Sequence, residues 1–162
     1  LLKYVFSIEP KPLGTAGAIK NAEPLIQSSP FMGFNGDSFC SINLQNFLDF
    51  HISTKLVTSI ALTSKQEKDD YGSVRLNLKN EILSFREKKS SEFSNHTNAG
   101  IYAFNKEVFQ YIPSKKKSSL EHDIFPSLIK KGVSGFQTNQ PLFDIGTPER
   151  LNFAKANLLK II

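Results

Sequence analysis

The chain has 162 residues, 40% of them hydrophobic and 22% charged, which is enough apolar material for one globular domain with a sizeable core. Its formal net charge of +5 is concentrated in Lys88-Lys89, Lys115-Lys116-Lys117 and Lys130-Lys131, clusters without the interleaved aromatics of a nucleic-acid surface. A single cysteine, Cys40, excludes an internal disulfide and fits a reducing cytoplasm, and no apolar run reaches membrane-spanning length.

The chain opens on Leu1-Leu2-Lys3-Tyr4-Val5-Phe6, too short for a secretory leader, and Lys3–Ser7 reads as a strand. The only methionine is Met32, so the sequence reads as one that lacks its natural start. A loop from Ile8 to Leu13 leads into Gly14-Thr15-Ala16-Gly17, which opens a helix to about Ala22. Phe31-Met32-Gly33-Phe34 is a short buried strand, broken by Asn35-Gly36 and followed by the carboxylate of Asp37. Leu44, Phe47, Leu48 and His51 recur at helical spacing over Asn43–Ser53, and Val57–Thr63 is a strand. Ser73–Leu78 and Ile82–Glu87 form a hairpin across Lys79-Asn80, and Ser90–His96 is a polar loop. Asn98–Phe104 is a further strand, and helices are predicted over Lys106–Tyr111 and Ser119–Lys130. Asp144 ends a short strand, and Thr147 caps a last helix with Pro148 at its first position. Strands alternating with helices predict an α/β sheet within one domain, residues 1–162.

Three places could carry chemistry. The small residues at Gly14-Thr15-Ala16-Gly17 let a ligand approach the backbone, with free N–H groups of the helix start pointing outward. Asp37 and Asp144 both end strands, where the crevice of an open α/β sheet binds ligands. Two such carboxylates could share one hard cation that prefers oxygen ligands. Glu87-Lys88 closes the hairpin, although neighbouring side chains on a strand point to opposite faces. His51, His96 and His122 lack metal-ligand spacing, and no Ser/His/Asp or Cys/His arrangement stands out. The modest positive field favours anionic substrates.

The ordered series Pro12-Leu13-Gly14-Thr15-Ala16-Gly17-Ala18, Asn35-Gly36-Asp37, Tyr71-Gly72, Glu87-Lys88, Asn98-Ala99-Gly100, Leu120-Glu121 and Asp144-Ile145-Gly146-Thr147-Pro148-Glu149 resembles the sugar-1-phosphate nucleotidyltransferases, over nearly the whole chain. Within them it looks most like the guanylyltransferases that make GDP-mannose or GDP-heptose. The resemblance implies a Rossmann-like mixed sheet flanked by helices. It also implies a magnesium-dependent reaction of a nucleoside triphosphate with a sugar 1-phosphate that releases pyrophosphate. By position, Asp37 and Asp144 match the family's magnesium aspartates. Gly14 lies, with Pro12 and Thr15, in the segment whose backbone lines the nucleobase and ribose. Gly72, Glu87, Asn98 and Gly100 match the sugar pocket, and Lys88 matches the lysine that meets the sugar's phosphate.

Lys89 stands where proline commonly follows the Glu-Lys pair. The family's glycine-rich triphosphate loop and its acyltransferase-type β-helix extension have no counterpart here, so the resemblance implies a chain inactive and poorly soluble by itself. A non-catalytic relative that binds a sugar phosphate or a partner subunit is the alternative reading. A glycosyltransferase would want two carboxylates together on the strand-end loop, where Asp37-Ser38-Phe39 offers one. Glu9 lies in the loop that the family sets against the base. An acceptor-only carboxylate suits the two adjacent donors of guanine, which makes GTP the expected donor and UTP the runner-up. The sugar and the oligomeric state stay open, a homo-oligomer among the options.

Overall fold

The structure, a computed structural model, describes residues 3–64, 73–86 and 96–158. Helix α1 (Gly14–Ala22) and a 3₁₀ turn (Glu23–Leu25) precede strands β1 (Phe31–Phe34) and β2 (Ser38–Cys40). Helix α2 (Leu44–Thr54), strand β3 (Thr58–Ser64) and the hairpin β4 (Ser73–Leu76) and β5 (Ile82–Arg86) lead to the long strand β6 (His96–Phe104). A 3₁₀ turn (Lys106–Gln110), a π turn (Leu120–Ile124), the short α3 (Phe125–Leu128) and a second 3₁₀ turn (Ile129–Lys131) follow. Strands β7 (Val133–Thr138) and β8 (Leu142–Asp144) and helix α4 (Pro148–Leu158) complete the described chain.

Six strands form a mixed sheet in the order β5-β4-β6-β3-β7, with β1 also beside β6, and β2 pairs with β8 in a separate ladder. Among the described residues of this sheet, β3 and β7 pair parallel and the other pairs are antiparallel. Strand β6 pairs with β3 along one side. On its other side it meets β4 near its start, at Thr97 and His96, and β1 near its end, from Ile101 to Phe104. The mixed sheet with flanking helices agrees with the architecture that the resemblance implies.

Strand alternation splits the core between the two faces of the sheet. Ile60, Leu62, Tyr102 and Phe104 join Phe125 and Leu128 on one face, whereas Ala61, Ala99, Ile101 and Ala103 meet Phe47 of α2 on the other. The helices begin where their sequences direct them. Asn43 accepts the Asn46 N–H at 2.9 Å to start α2, and Thr147 Oγ1 accepts the Arg150 N–H at 3.3 Å to start α4.

Several expectations are corrected. Lys3–Ser7 is irregular, with Tyr4, Val5 and Phe6 exposed and no described strand alongside to supply a ladder. The helix expected over Ser119–Lys130 breaks into three short pieces, with Pro126 at the start of α3, where it can give no N–H to the preceding turn. Asn35-Gly36 breaks β1 without a left-handed glycine, since the described positive-φ glycines are Gly14, Gly100 and Gly132. Space beside Gly36 is open, with nothing within 4 Å of where a Cβ would sit. Strands β2 and β7 are additions. β7 accommodates Gly135 because a Cβ there would lie 2.5 Å from Leu62 Cδ1.

The start of α1 is also built differently from expectation. The Ala16 and Gly17 N–H groups donate to the Ser118 carbonyl at 3.1 and 3.3 Å, so they are not free to meet a ligand. Gly14 adopts φ +74°, and a Cβ there would lie 2.5 Å from the Ser118 carbonyl oxygen. Gly14→Ala combines backbone strain with a clash against main chain, and is expected to cost about 2–4 kcal/mol of stability in denaturant unfolding.

His51 on α2 is buried, its Nδ1 2.7 Å from Ser59 Oγ, which in turn lies 2.6 Å from Ser134 Oγ. Burial lowers the His51 pKa below the ordinary value of 6.5, and the nearby Asn105 side chain partly offsets this. Below about pH 6.5 the unfolded chain therefore takes up a proton that folded His51 resists, so stability is full above that pH and falls on acidification. Urea unfolding at pH 7.5 and pH 5.5 should show a larger loss for the wild type than for His51→Gln.

Candidate active site

A cleft of about 550 Å³ opens between α1 and the turn after β1, lined among others by Thr15, Ala18, Phe34, Gly36, Asp37 and Leu120. Phe34 is half-exposed on its wall, and Asp37 is exposed. The turn owes its position to β6. Opposite the single Ala61 of β3, between the pairs Ile60–Tyr102 and Leu62–Asn98, β6 carries three residues, Ala99–Ile101. Gly100 lies at the centre of this bulge with φ +71°, a conformation that favours glycine. Its carbonyl accepts the Asn35 N–H at 2.8 Å, and its own N–H donates to Asn98 Oδ1 at 2.9 Å. A Cβ on Gly100 would lie 2.5 Å from Ser38 Oγ and 3.1 Å from Asn35 Cβ, so the chain after β1 packs directly over it.

From this turn the chain enters β2, whose ladder with β8 sets Ser38 opposite Asp144. The Ile145 N–H donates to the Asp37 carbonyl at 2.8 Å and extends the contact by one residue. The two carboxylates converge on Gly146: a Cβ there would lie 3.1 Å from Asp144 Oδ1 and 3.7 Å from Asp37 Oδ2. Asp144 Oδ1 accepts the Gly146 N–H at 2.7 Å, and Asp144 Oδ2 pairs with Arg150 Nη1 of α4. Among the described residues no group of three or more His, Cys, Asp or Glu side chains gathers to form a metal cluster.

Beneath the cleft a polar network joins α1, β6 and the π turn. Glu121 Oε2 accepts the Thr15 hydroxyl at 3.0 Å and the Ser119 hydroxyl at 2.8 Å, and Glu121 Oε1 accepts the Tyr102 hydroxyl at 3.0 Å. The Tyr102 oxygen accepts Asn98 Nδ2 at 3.0 Å, and Thr15 Oγ1 accepts the Leu120 N–H at 2.8 Å. Burial and the adjacent Glu121 charge push the Tyr102 phenol above its ordinary range, so it stays protonated as a donor.

The structure thus brings Thr15 and Asp37 into one cleft, sets Asp144 against Asp37, and places Asn98 and Gly100 directly below. Gly14 faces the Ser118 backbone rather than the cleft. Pro12 is exposed in the loop before α1, where Glu9 Oε2 accepts the Leu13 N–H at 2.8 Å. Gly72, Glu87 and Lys88 lie outside the described residues. Tyr102 and the Asn35 side chain are additions to the expected set. The signal for Tyr102 was a phenol within the otherwise apolar run Ala99–Phe104, since a buried hydroxyl needs a partner.

The sequence profile of the nucleotidyl transferase family matches residues 2–161. A mannose-1-phosphate guanylyltransferase of Mycobacterium tuberculosis is 30% identical over 98% of this chain, which spans 45% of that relative's length. A D-glycero-alpha-D-manno-heptose 1-phosphate guanylyltransferase of Aneurinibacillus thermoaerophilus is 32% identical over 94% of this chain and 66% of its own. The crystal structure of HddC from Yersinia pseudotuberculosis superposes with a TM-score of 0.78 at 30% identity, covering 93% of this chain and 64% of that one; the same protein has also been solved with GMP-PN. With the profile matched from one end of the sequence to the other, and the two strand-end carboxylates meeting beside one cleft, the chain belongs to the nucleotidyl transferase family.

Proposed function

We propose that this chain carries part of the active site of a sugar-1-phosphate guanylyltransferase. In that reaction an oxygen of a sugar 1-phosphate attacks the α-phosphorus of GTP, forming a nucleotide sugar as pyrophosphate leaves. The observation that carries the reading is the convergence of Asp37 and Asp144 on Gly146 beside the cleft. The nucleophile is already an anion, so the site needs no strong general base. Its task is in-line alignment and neutralisation of charge around phosphorus.

Two carboxylates that each bring an oxygen close to Gly146 give a hard, anionic oxygen donor set that fits magnesium, with substrate phosphate oxygens and water left to complete the shell. When bound, magnesium would supply charge neutralisation at the phosphates. Asp37 and Asp144 would hold it, Lys88 would meet the phosphate of the sugar, and Gly72, Glu87, Asn98 and Gly100 would shape the sugar pocket. The Tyr102 and Glu121 network supports this floor, fixing the Asn98 carboxamide and the Thr15 hydroxyl from below.

Asp37→Asn, tested in the full-length protein by pyrophosphate release from GTP and mannose or heptose 1-phosphate, should lower turnover by about a hundredfold, the scale on which a group stabilising transition-state charge acts. Sugar-phosphate affinity should change far less. Near-wild-type turnover at limiting magnesium would overturn the metal role.

Guanine is favoured by the named relatives and by the carboxylate of Glu9, which the Leu13 N–H holds in place. A carboxylate has enough lone-pair positions to keep that bond and still accept from the ring N–H and exocyclic amine of guanine, whereas uracil offers one donor flanked by acceptors. Competition between GTP and UTP should favour GTP in the wild type and shift toward UTP in Glu9→Gln by about tenfold. A wild-type preference for UTP, or no shift in the variant, removes Glu9 from base recognition.

A further inference from the structure

We propose that Arg150 is a resident counter-cation of the Asp37–Asp144 pair, which a divalent cation must displace before it can use Asp144 in full. The inference rests on the reading of that pair as a metal site. Its basis is the seat of the guanidinium: Arg150 Nη1 lies on Asp144 Oδ2, while the other oxygen, Oδ1, accepts the Gly146 N–H.

The position of Arg150 on its helix gives the contact meaning. Thr147 caps α4 through the Arg150 N–H, so Arg150 lies in the first turn of an 11-residue helix. The helix macrodipole disfavours a cation there and favours an anion such as Glu149. A guanidinium held in that turn is therefore placed by its local partner, and the partner is Asp144. The reach is also loose, since the Arg150 side chain is 47% exposed against 17% for Asp144. Water can take over the guanidinium when it leaves, so release costs far less than breaking a buried pair.

Charge counting shows what the exchange would do. Asp37, Asp144 and Arg150 taken by themselves sum to one net negative charge, a contribution that disfavours a polyphosphate. A dication between the carboxylates, with Arg150 released but still nearby, converts the same residues to one net positive charge. Metal arrival would then turn the contribution of these three residues from repelling to attracting phosphate, with Arg150 released to turn toward it. Charge-assisted, forked contacts to phosphate are what a guanidinium makes best.

The test is Mn²⁺ binding to the protein without nucleotide, read as loss of the free-ion electron paramagnetic resonance signal. Arg150→Gln removes the competitor and should bind Mn²⁺ about fivefold or more tighter than the wild type, the shift expected when a directly apposed like charge is withdrawn. Arg150→Lys keeps a displaceable charge without the fork and should fall between the two. Combining Asp37→Asn with Arg150→Gln should abolish the gain. Equal or weaker binding in Arg150→Gln overturns the proposal, weaker binding meaning that Arg150 orients Asp144 as a ligand. A gain that survives Asp37→Asn also overturns it. If the wild type binds Mn²⁺ and Asp37→Asn alone binds it equally well, the metal reading of the pair fails instead. Binding by neither wild type nor Arg150→Gln sinks both.

Discussion

The bulge at Gly100 is the constraint on which the candidate site depends. A regular β6 would keep one residue opposite each residue of β3, and the carbonyl of residue 100 would face its neighbour across the ladder. Instead three residues stand against Ala61, and the Gly100 carbonyl receives the Asn35 N–H at 2.8 Å. That bond fixes where the chain leaves β1, hence the course of the turn that carries Asp37. The lack of a side chain at Gly100 leaves room for Ser38 and Asn35 to pass over it. Ser38 begins β2, β2 recruits β8, and β8 ends at Asp144. A local departure from ideal strand geometry is thus passed through two backbone pairings to the meeting of two carboxylates.

The polar network around Glu121 solves a different problem. Helix α1 packs its first turn against residues 116–118 so closely that both Gly14 and Gly17 lack room for a Cβ. Such an approach leaves residues 119–121, around the start of the π turn, partly or wholly buried, where unpaired polar groups are costly. Glu121 satisfies the Thr15, Ser119 and Tyr102 hydroxyls together, and Tyr102 passes the connection on to Asn98. The cleft therefore has a floor in which the named donors and acceptors are matched, a condition under which a polar cluster rigidifies. The close approach of residues 116–118 explains why Gly14 and Gly17 stand in the first turn of α1: they serve close packing of helix on loop.

Much of this was legible in the sequence, for reasons that particular residues show. Phe47 and His51, four residues apart, gave α2 its face, and both are buried. Thr147-Pro148 announced the start of α4 through cap chemistry that depends only on neighbours. The strand-end placement of Asp37 and Asp144 was readable, and so was the possibility that they share one site, whereas the β2–β8 ladder that joins them was not, because it pairs residues more than a hundred positions apart. Val133–Thr138 escaped notice because Ser134 and Gly135 are buried by tertiary neighbours, with Ser134 held by Ser59 and Gly135 shaped by Leu62. Lys3–Ser7 failed in the opposite sense. Its composition suits a strand, but β structure is a property of paired chains and no described strand pairs with it. The amides of α1 misled because an isolated helix start has free donors, whereas this one meets the Ser118 carbonyl.

Placing the two carboxylates on a small ladder beside the main sheet has an electrostatic consequence. In the centre of a six-stranded sheet, two facing carboxylates would be desolvated, and one would be driven to take up a proton. On β2 and β8 they stay near solvent: Asp37 is exposed, and Asp144 keeps a partial opening and the company of Arg150. Solvent thus reaches both carboxylates, so neither carries the full desolvation cost of a buried charge. The backbone holds them together through ladder bonds whose strength does not depend on their charge. Geometry is thus supplied by main-chain pairing and charge by solvent-accessible side chains, so the ladder sets where the two carboxylates lie whatever their side chains contact.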